Sequence, residues 1–408
     1  MATLLAGPMV RRAEPTRVWF WFATDGPAAI SVSLYHYPAG GGPRQLAGQS
    51  APTDQRTGRL GANLCVHLVG VPVAPGAWPA GTDTALFHYD AAVDGDDLAA
   101  LGLLAGADSI AYPGEPLPGF PLHRDGRVTT LLHGSCRRLH SDEPDAYHAI
   151  DDILKTRFRD AAARPAALFL TGDQIYADNV AGPLIRHLTQ SGDALIGWPE
   201  QLPDPVGNVR AIPVCGRRDA FANKSVSGFT SSHGENHLAT FGEYAAHYLA
   251  AWSPAGWPAG GLPQTPPPEL DEKQKAQYVE DWRHLNTAQA DAAVVRRVHA
   301  NIPAYMMFDD HEVTDDWNLT QEWTDRVRAS PSGRRIVANG LAAFWAFQAW
   351  GNEPDGFDPV FVQTIEAQLA GPNPPGGGDP FDQAMWDFHG WGYVTPTKPA
   401  AIVKLPSR

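Results

Sequence analysis

The stretch LFLTGDQIYAD, residues 168–178, ties a strand to a candidate site. Leu168, Phe169 and Leu170 form a short apolar run with the composition of a buried strand, and Thr171-Gly172 ends it in a tight turn. Ligands of open α/β sheets gather at the carboxyl ends of strands, so Asp173, Tyr176 and Asp178 stand where chemistry is done. Two further segments repeat the pattern. Residues 128–132 are apolar and end in His133-Gly134-Ser135-Cys136, and residues 302–308 end in Asp309-Asp310-His311-Glu312. Three strands thereby deliver a thiol, a carboxylate with a phenol, and a carboxylate with an imidazole to one predicted sheet edge. That mixture of soft and hard donors suits metal ions, with iron or zinc at the thiolate and a harder cation beside it.

The rest of the chain bounds what such a site can serve. At 408 residues, with 43% apolar and 19% charged residues and 13 Trp, the chain is globular and long enough for two to three domains. A net charge of -14 argues against nonspecific binding to nucleic acid or an anionic membrane. An anionic substrate then needs local positive charge, most simply from bound metal. Cys65, Cys136 and Cys215 are odd in number and far apart, which gives no disulfide framework. No stretch approaches the roughly 18 to 20 apolar residues of a membrane span. Leu4-Leu5 is too short for a signal core, so a cytoplasmic location is expected.

Residues 1–110 read as a β-sandwich, with strands at 18–24, 30–37, 64–71 and 85–89. Pro113, Pro116, Pro118 and Pro121 mark 111–126 as a Pro-rich linker. From 127 to 408 the pattern is α/β. A helix over 144–162 carries the stripe Tyr147, Ile150, Leu154 and Phe158, which makes a right-handed βαβ unit with the strand before Asp173. Residues 195–285 read as an insertion, with a helix at 237–252 and a Pro/Gly-rich loop at 253–268. Further helices are expected at 287–300 and 336–350. His233 and His237 sit one helical turn apart but lack the zinc-protease spacing, and they read as a helix-start pair. The acids Asp309, Asp310, Glu312, Asp315 and Asp316 crowd together directly after a buried strand and repel one another unless a cation or an arginine joins them. Cys65 and Cys215 read as packing residues.

GSCR at 134–137, GDQIYAD at 172–178 and DDHEV at 309–313, in that order behind a β-rich N-terminal part, resemble the alkaline phosphatase D (PhoD-like) family of calcineurin-like metallophosphoesterases. The resemblance implies an immunoglobulin-like N-terminal sandwich followed by a four-layer α/β/β/α core. It implies iron (Fe3+) held through Cys136 and Tyr176, with calcium or another divalent ion beside it. By motif, Asp173 bridges the metals, Asp310 falls on the asparagine of the superfamily's G-N-H motif, and His311 falls on its histidine, acting on the leaving group. Arg137 becomes a phosphate clamp, and Asp315 and Asp316 hold a further calcium. The implied substrate is a small phosphomonoester or phosphodiester attacked by water, with no nucleic-acid or membrane partner.

The chain departs from the family at one point. The family's downstream G-D-x-H motif is absent, and after Asp310 the histidines are His311 and His389. The expectation is therefore a truncated core with one sheet face left open to a partner chain. The alternative is a shortened or degenerate relative that binds without turning over.

Overall fold

The structure, a computed structural model, describes residues 1–37, 42–79, 81–124, 130–212, 215–396 and 401–404. Among these, nine strands come first: β1 (Leu4–Glu14), β2 (Arg17–Thr24), β3 (Ile30–His36), β4 (Gln45–Gln49), β5 (Gln55–Arg59), β6 (Cys65–Pro72), β7 (Thr84–Val93), β8 (Asp96–Asp97) and β9 (Gly119–His123). One antiparallel sheet runs β1-β2-β6-β5, and the other runs β4-β3-β7-β8 with β9 also paired to β7. Side chains alternate across β2. Phe20 and Phe22 pack with Val32, Phe87 and Tyr89 between the two sheets, while Trp19 and Trp21 face the other way into a larger core with Trp252 and Phe347. The first sheet is thus buried on both faces.

Part of the Pro-rich stretch 111–126, expected as a linker, forms an edge strand. Gly119–His123 pairs antiparallel with β7, and it tolerates Pro121 because it adds to the sheet as an edge strand. Residues 125 and 126 lie outside the described part, as do 128 and 129 of the expected strand that follows.

The α/β part holds β10 (Leu131–Gly134), β11 (Ala167–Leu170) and β12 (Ala304–Met306), parallel and in that order. Helix α1 (Tyr147–Thr156) crosses between the first two, shorter than expected at both ends. Then come α2 (Gly182–Ile196), α3 (Phe241–Trp252), α4 (Glu272–Asn301), α5 (Gln321–Ala329) and α6 (Pro331–Phe344). Helix α4 begins 15 residues before its expected start, where Asp271 accepts from the backbone of Gln274 and Gln274 answers. Its first half is mostly polar, yet Tyr278, Trp282 and Leu285 lie four and three residues apart, a short stripe that marks it as helix. Residues 195–285, expected as an insertion, reach into the core. All 12 residues of α3 are buried, and the helix packs against α2, α4 and α6. After α6 the chain passes through a π-helical turn at Trp345–Ala349 and stays helical to Asn352.

The four-layer arrangement is not seen among the described residues. Beyond the three parallel strands there is a two-stranded hairpin, β13 (Tyr393–Pro396) with β14 (Ala401–Lys404). The outer sheet face is nevertheless not bare. Ala167, Phe169 and Tyr305 are buried there with Tyr393, whose ring stacks on Tyr305 at 6.0 Å. The free edge of β12 is also closed, because the Asn352 side chain accepts from Met306 N (2.9 Å) and donates to Met306 O (2.6 Å). Among the described residues no helix is long and apolar enough to cross a membrane.

Candidate metal centre

Parallel strands in the order β10-β11-β12 place the three motif loops side by side at one sheet edge. The loops then lock to one another through backbone hydrogen bonds. Cys136 N donates to Gly172 O, Arg137 N to Asp173 O and Ala177 N to His311 O. The turn geometry is demanding. Gly172 sits at φ +119°, and a Cβ there would come 2.3 Å from Asp309 Cβ, so glycine is required. Cys136 and Asp173 themselves adopt positive φ, 59° and 54°, a costly conformation for side-chain-bearing residues that the surrounding hydrogen bonds hold in place.

The structure brings Asp173, Asp310 and His311 together, with one ligand atom of each lying within 4.8 Å of the others. The Cys136 thiol bears on the Asp173 carboxylate and the Tyr176 hydroxyl, and the Tyr176 ring stacks on His311 at 4.2 Å. Burial, joined by Asp309 and Asp310, pushes Asp173 up to about 6. Its Oδ1 is buried without a hydrogen-bond donor. Burial raises Asp310 as well. Tyr176 is raised by burial and by Asp173 and Cys136. Crowded carboxylates, an orphaned buried oxygen, a thiol and a phenol together fit a cation.

Two acids organise this cluster from behind. Asp178, fully buried, holds His311 Nδ1 at 2.8 Å and accepts from Asp315 N at 2.7 Å, so only His311 Nε2 faces the cluster. Burial opposes the imidazolium, but the bond to Asp178 and the charges of Asp173 and Asp310 outweigh it, and His311 is raised to about 9. Glu312, also fully buried, accepts from Asp173 N, Asp309 N and Gln174 N, and from Gln348 Nε2 of the π-helical turn. One carboxylate therefore bolts two site loops to a helix. The strand-end position singled out Asp178. Glu312 was visible only as one member of an acidic run.

Other expected site residues lie elsewhere. Arg137 turns away from the cluster, with Nε on Asp145 (2.8 Å), Nη1 on Ala251 O (2.7 Å) and the guanidinium over the Tyr147 ring. The guanidinium of its neighbour Arg138 bears on Tyr176 instead and has no hydrogen-bonded partner among the described residues. Asp316 is saturated by the Thr230 backbone and hydroxyl, the Thr314 hydroxyl and the Trp323 indole, and it stands outside the cluster. Asp315, held through its backbone by Asp178, keeps a buried Oδ1 with no donor. His237 is buried against Phe229 with Nδ1 on Leu238 O, while His233 and His389 are exposed.

A sheet edge carrying this donor set defines a candidate metal centre on an α/β scaffold. The family model described as PhoD-like phosphatase matches residues 252–354, the stretch that holds α4, β12 and the Asp309-Asp310-His311 loop. A search of curated proteins gives no match. Among solved structures the chain is similar to one titled "Structure of PhoD", at 13% identity and a TM-score of 0.36, covering 91% of this chain and 47% of that one. The chain thus spans about half the length of that protein, and no residue role follows from the overlay.

Proposed function

We propose that this chain is a metal-dependent phosphoesterase that hydrolyses small phosphomonoesters or phosphodiesters with water. The observation that carries the proposal is the buried, donorless Oδ1 of Asp173 at the centre of the Asp173, Asp310 and His311 group. Cys136 and Tyr176 would hold iron with Asp173, and Asp310 and Asp315 would hold calcium or another divalent ion. Bound cations neutralise phosphoryl charge and make water acidic enough to attack near neutral pH. The chain's own part is proton handling. Water attacks phosphorus, and the ester P–O bond breaks with its electron pair on the alcohol oxygen. That oxygen takes the Nε2 proton of His311, which the proton released from water replaces. Asp178 keeps the imidazole oriented and charged for this step. Arg138 takes the anion-facing place that the motif gave to Arg137. On this proposal the two-sheet part (1–110, followed by 111–126) is the family's immunoglobulin-like domain, and 127–408 supplies one sheet of its four-layer core.

The test is metal analysis of the purified protein, together with hydrolysis of p-nitrophenyl phosphate and bis-p-nitrophenyl phosphate in added iron and calcium. Bound metal and a rate abolished by Asp173→Ala are expected. Metal-free protein without turnover would instead leave the chain as a binding protein that keeps the motifs.

A further inference from the structure

Beside the metal centre, on the β10 side, a cavity of about 590 Å³ opens between the sheet and helices α1 and α4. Part of its wall is apolar, with Leu132 and Leu170 from the sheet, Ile150 and Ile153 from α1 and Ala288 from α4, while charged residues such as Arg138, Asp142, Glu143 and Asp291 line the rest. Ser135, Cys136 and Gln174 form the end next to the cluster, so the cavity begins where the Asp173 loop stops. The volume lies in the ordinary range of small-molecule pockets, roughly 300 to 1,000 Å³.

One wall residue carries an unmet requirement. Gln174 is 1% exposed and donates through Nε2 to Gly172 O at 2.8 Å, while its Oε1 is buried with no donor. Flipping the amide does not help, since it would set Oε1 against the Gly172 carbonyl and strand the two donor hydrogens. A buried acceptor left unmet costs about 1 to 3 kcal/mol. That oxygen is sealed off from the cavity surface, so the apolar part of the wall alone sets what a ligand must offer.

We infer that this cavity binds the organic arm of the phosphoester, and that the arm is an aromatic or branched apolar group. The inference rests on the phosphoesterase proposal for where the phosphoryl group sits, but the cavity itself can be probed without it. A small polar alcohol such as glycerol would leave the apolar wall wet and gain little, whereas a ring fills it. Discrimination of this kind between apolar arms is worth roughly tenfold or more.

Ala149, exposed on α1 at the rim of the cavity, allows a plug that disturbs no core packing. The full chain and its Ala149→Trp variant are compared, with Ala149→Ser as control. In the first arm the protein is treated with chelator and 2-naphthol binding is followed by fluorescence. Binding to the parent chain and the Ser variant, lost at least tenfold in the Trp variant, is expected. No binding, or binding indifferent to the plug, overturns the inference whether or not the protein is a phosphatase. In the second arm, inhibition of p-nitrophenyl phosphate hydrolysis by phenylphosphonate is compared with inhibition by methylphosphonate and inorganic phosphate. The plug should weaken phenylphosphonate alone, and an equal loss for all three overturns the inference by placing the effect at the metal centre. Naphthol binding without any hydrolysis would sink the phosphoesterase reading while leaving an apolar ligand site in place.

Discussion

Glu312 does more for the centre than any residue in direct reach of a ligand. It accepts from three backbone N–H groups of two loops and from one side-chain amide. Glu312→Gln keeps the shape but turns one acceptor into a donor facing donors. On the proposed function, the expected result is a loss of metal affinity of roughly 10- to 100-fold, read by titration calorimetry, in line with other residues that support metal ligands. Unchanged affinity would mean that the loops hold their places without it. The same residue shows what sequence can convey at this scale. Asp173, Tyr176, Asp310 and His311 were legible because position after a strand is a local property. The direction of Arg137 was not, because it depends on Asp145 and on Ala251, which lies more than a hundred positions away. The role of Glu312, though its place in the acidic run was plain, was not legible for a similar reason, since most of its partners are backbone groups that no sequence pattern marks.

Among the elements, β12 is the one most at risk, being a strand of three residues at the end of a three-stranded sheet. An unpaired edge invites pairing with another chain. Asn352 prevents this by imitating a neighbouring strand at Met306, and it also accepts from Arg11 Nη2 at 2.8 Å. Asn352→Leu should strip partners from three buried groups and lower stability by about 2 to 4 kcal/mol, on a scale of roughly 1 to 3 per unmet group. The measurement is the denaturant midpoint, and a shift worth less than about 0.5 kcal/mol, the range of an ordinary surface change, would show that water replaces the amide. The apolar run and the acids after it revealed the strand. Its protection was not legible, because the protecting side chain comes from the end of a helix whose pairing with the sheet is purely tertiary.

For the molecule as a whole, the β-rich part and the α/β part share one core. Trp19, Trp21, Leu64 and Leu68 belong to the same buried cluster as Leu168, Trp252 and Trp345, and Trp21 Nε1 donates to Ala346 O at 2.9 Å. Residues 1–124 expressed alone should therefore expose a tryptophan-rich sheet face, bind a hydrophobic dye and self-associate. A monodisperse piece with native-like tryptophan emission would contradict the shared core. The sequence holds the signal for this. The run VWFWFA at 18–23 does not alternate apolar with polar, which is the mark of a strand covered on both faces. A simple sandwich accounts for half of its contacts.

The π-helical turn at Trp345–Ala349 sets the phase of everything after it. An α-helix advances about 100° per residue, so one additional residue in the turn rotates the last stretch of helix by that angle relative to α6. Gln348 thereby meets Glu312 while Asn352 meets Met306. Deleting a single residue from the turn would leave a smooth, fully hydrogen-bonded helix and a mistimed one, with the wrong side chains presented to the metal loops and to the sheet edge. The chain is in this sense a vernier, in which a one-residue count within a helix decides whether Gln348 and Asn352 line up with their partners.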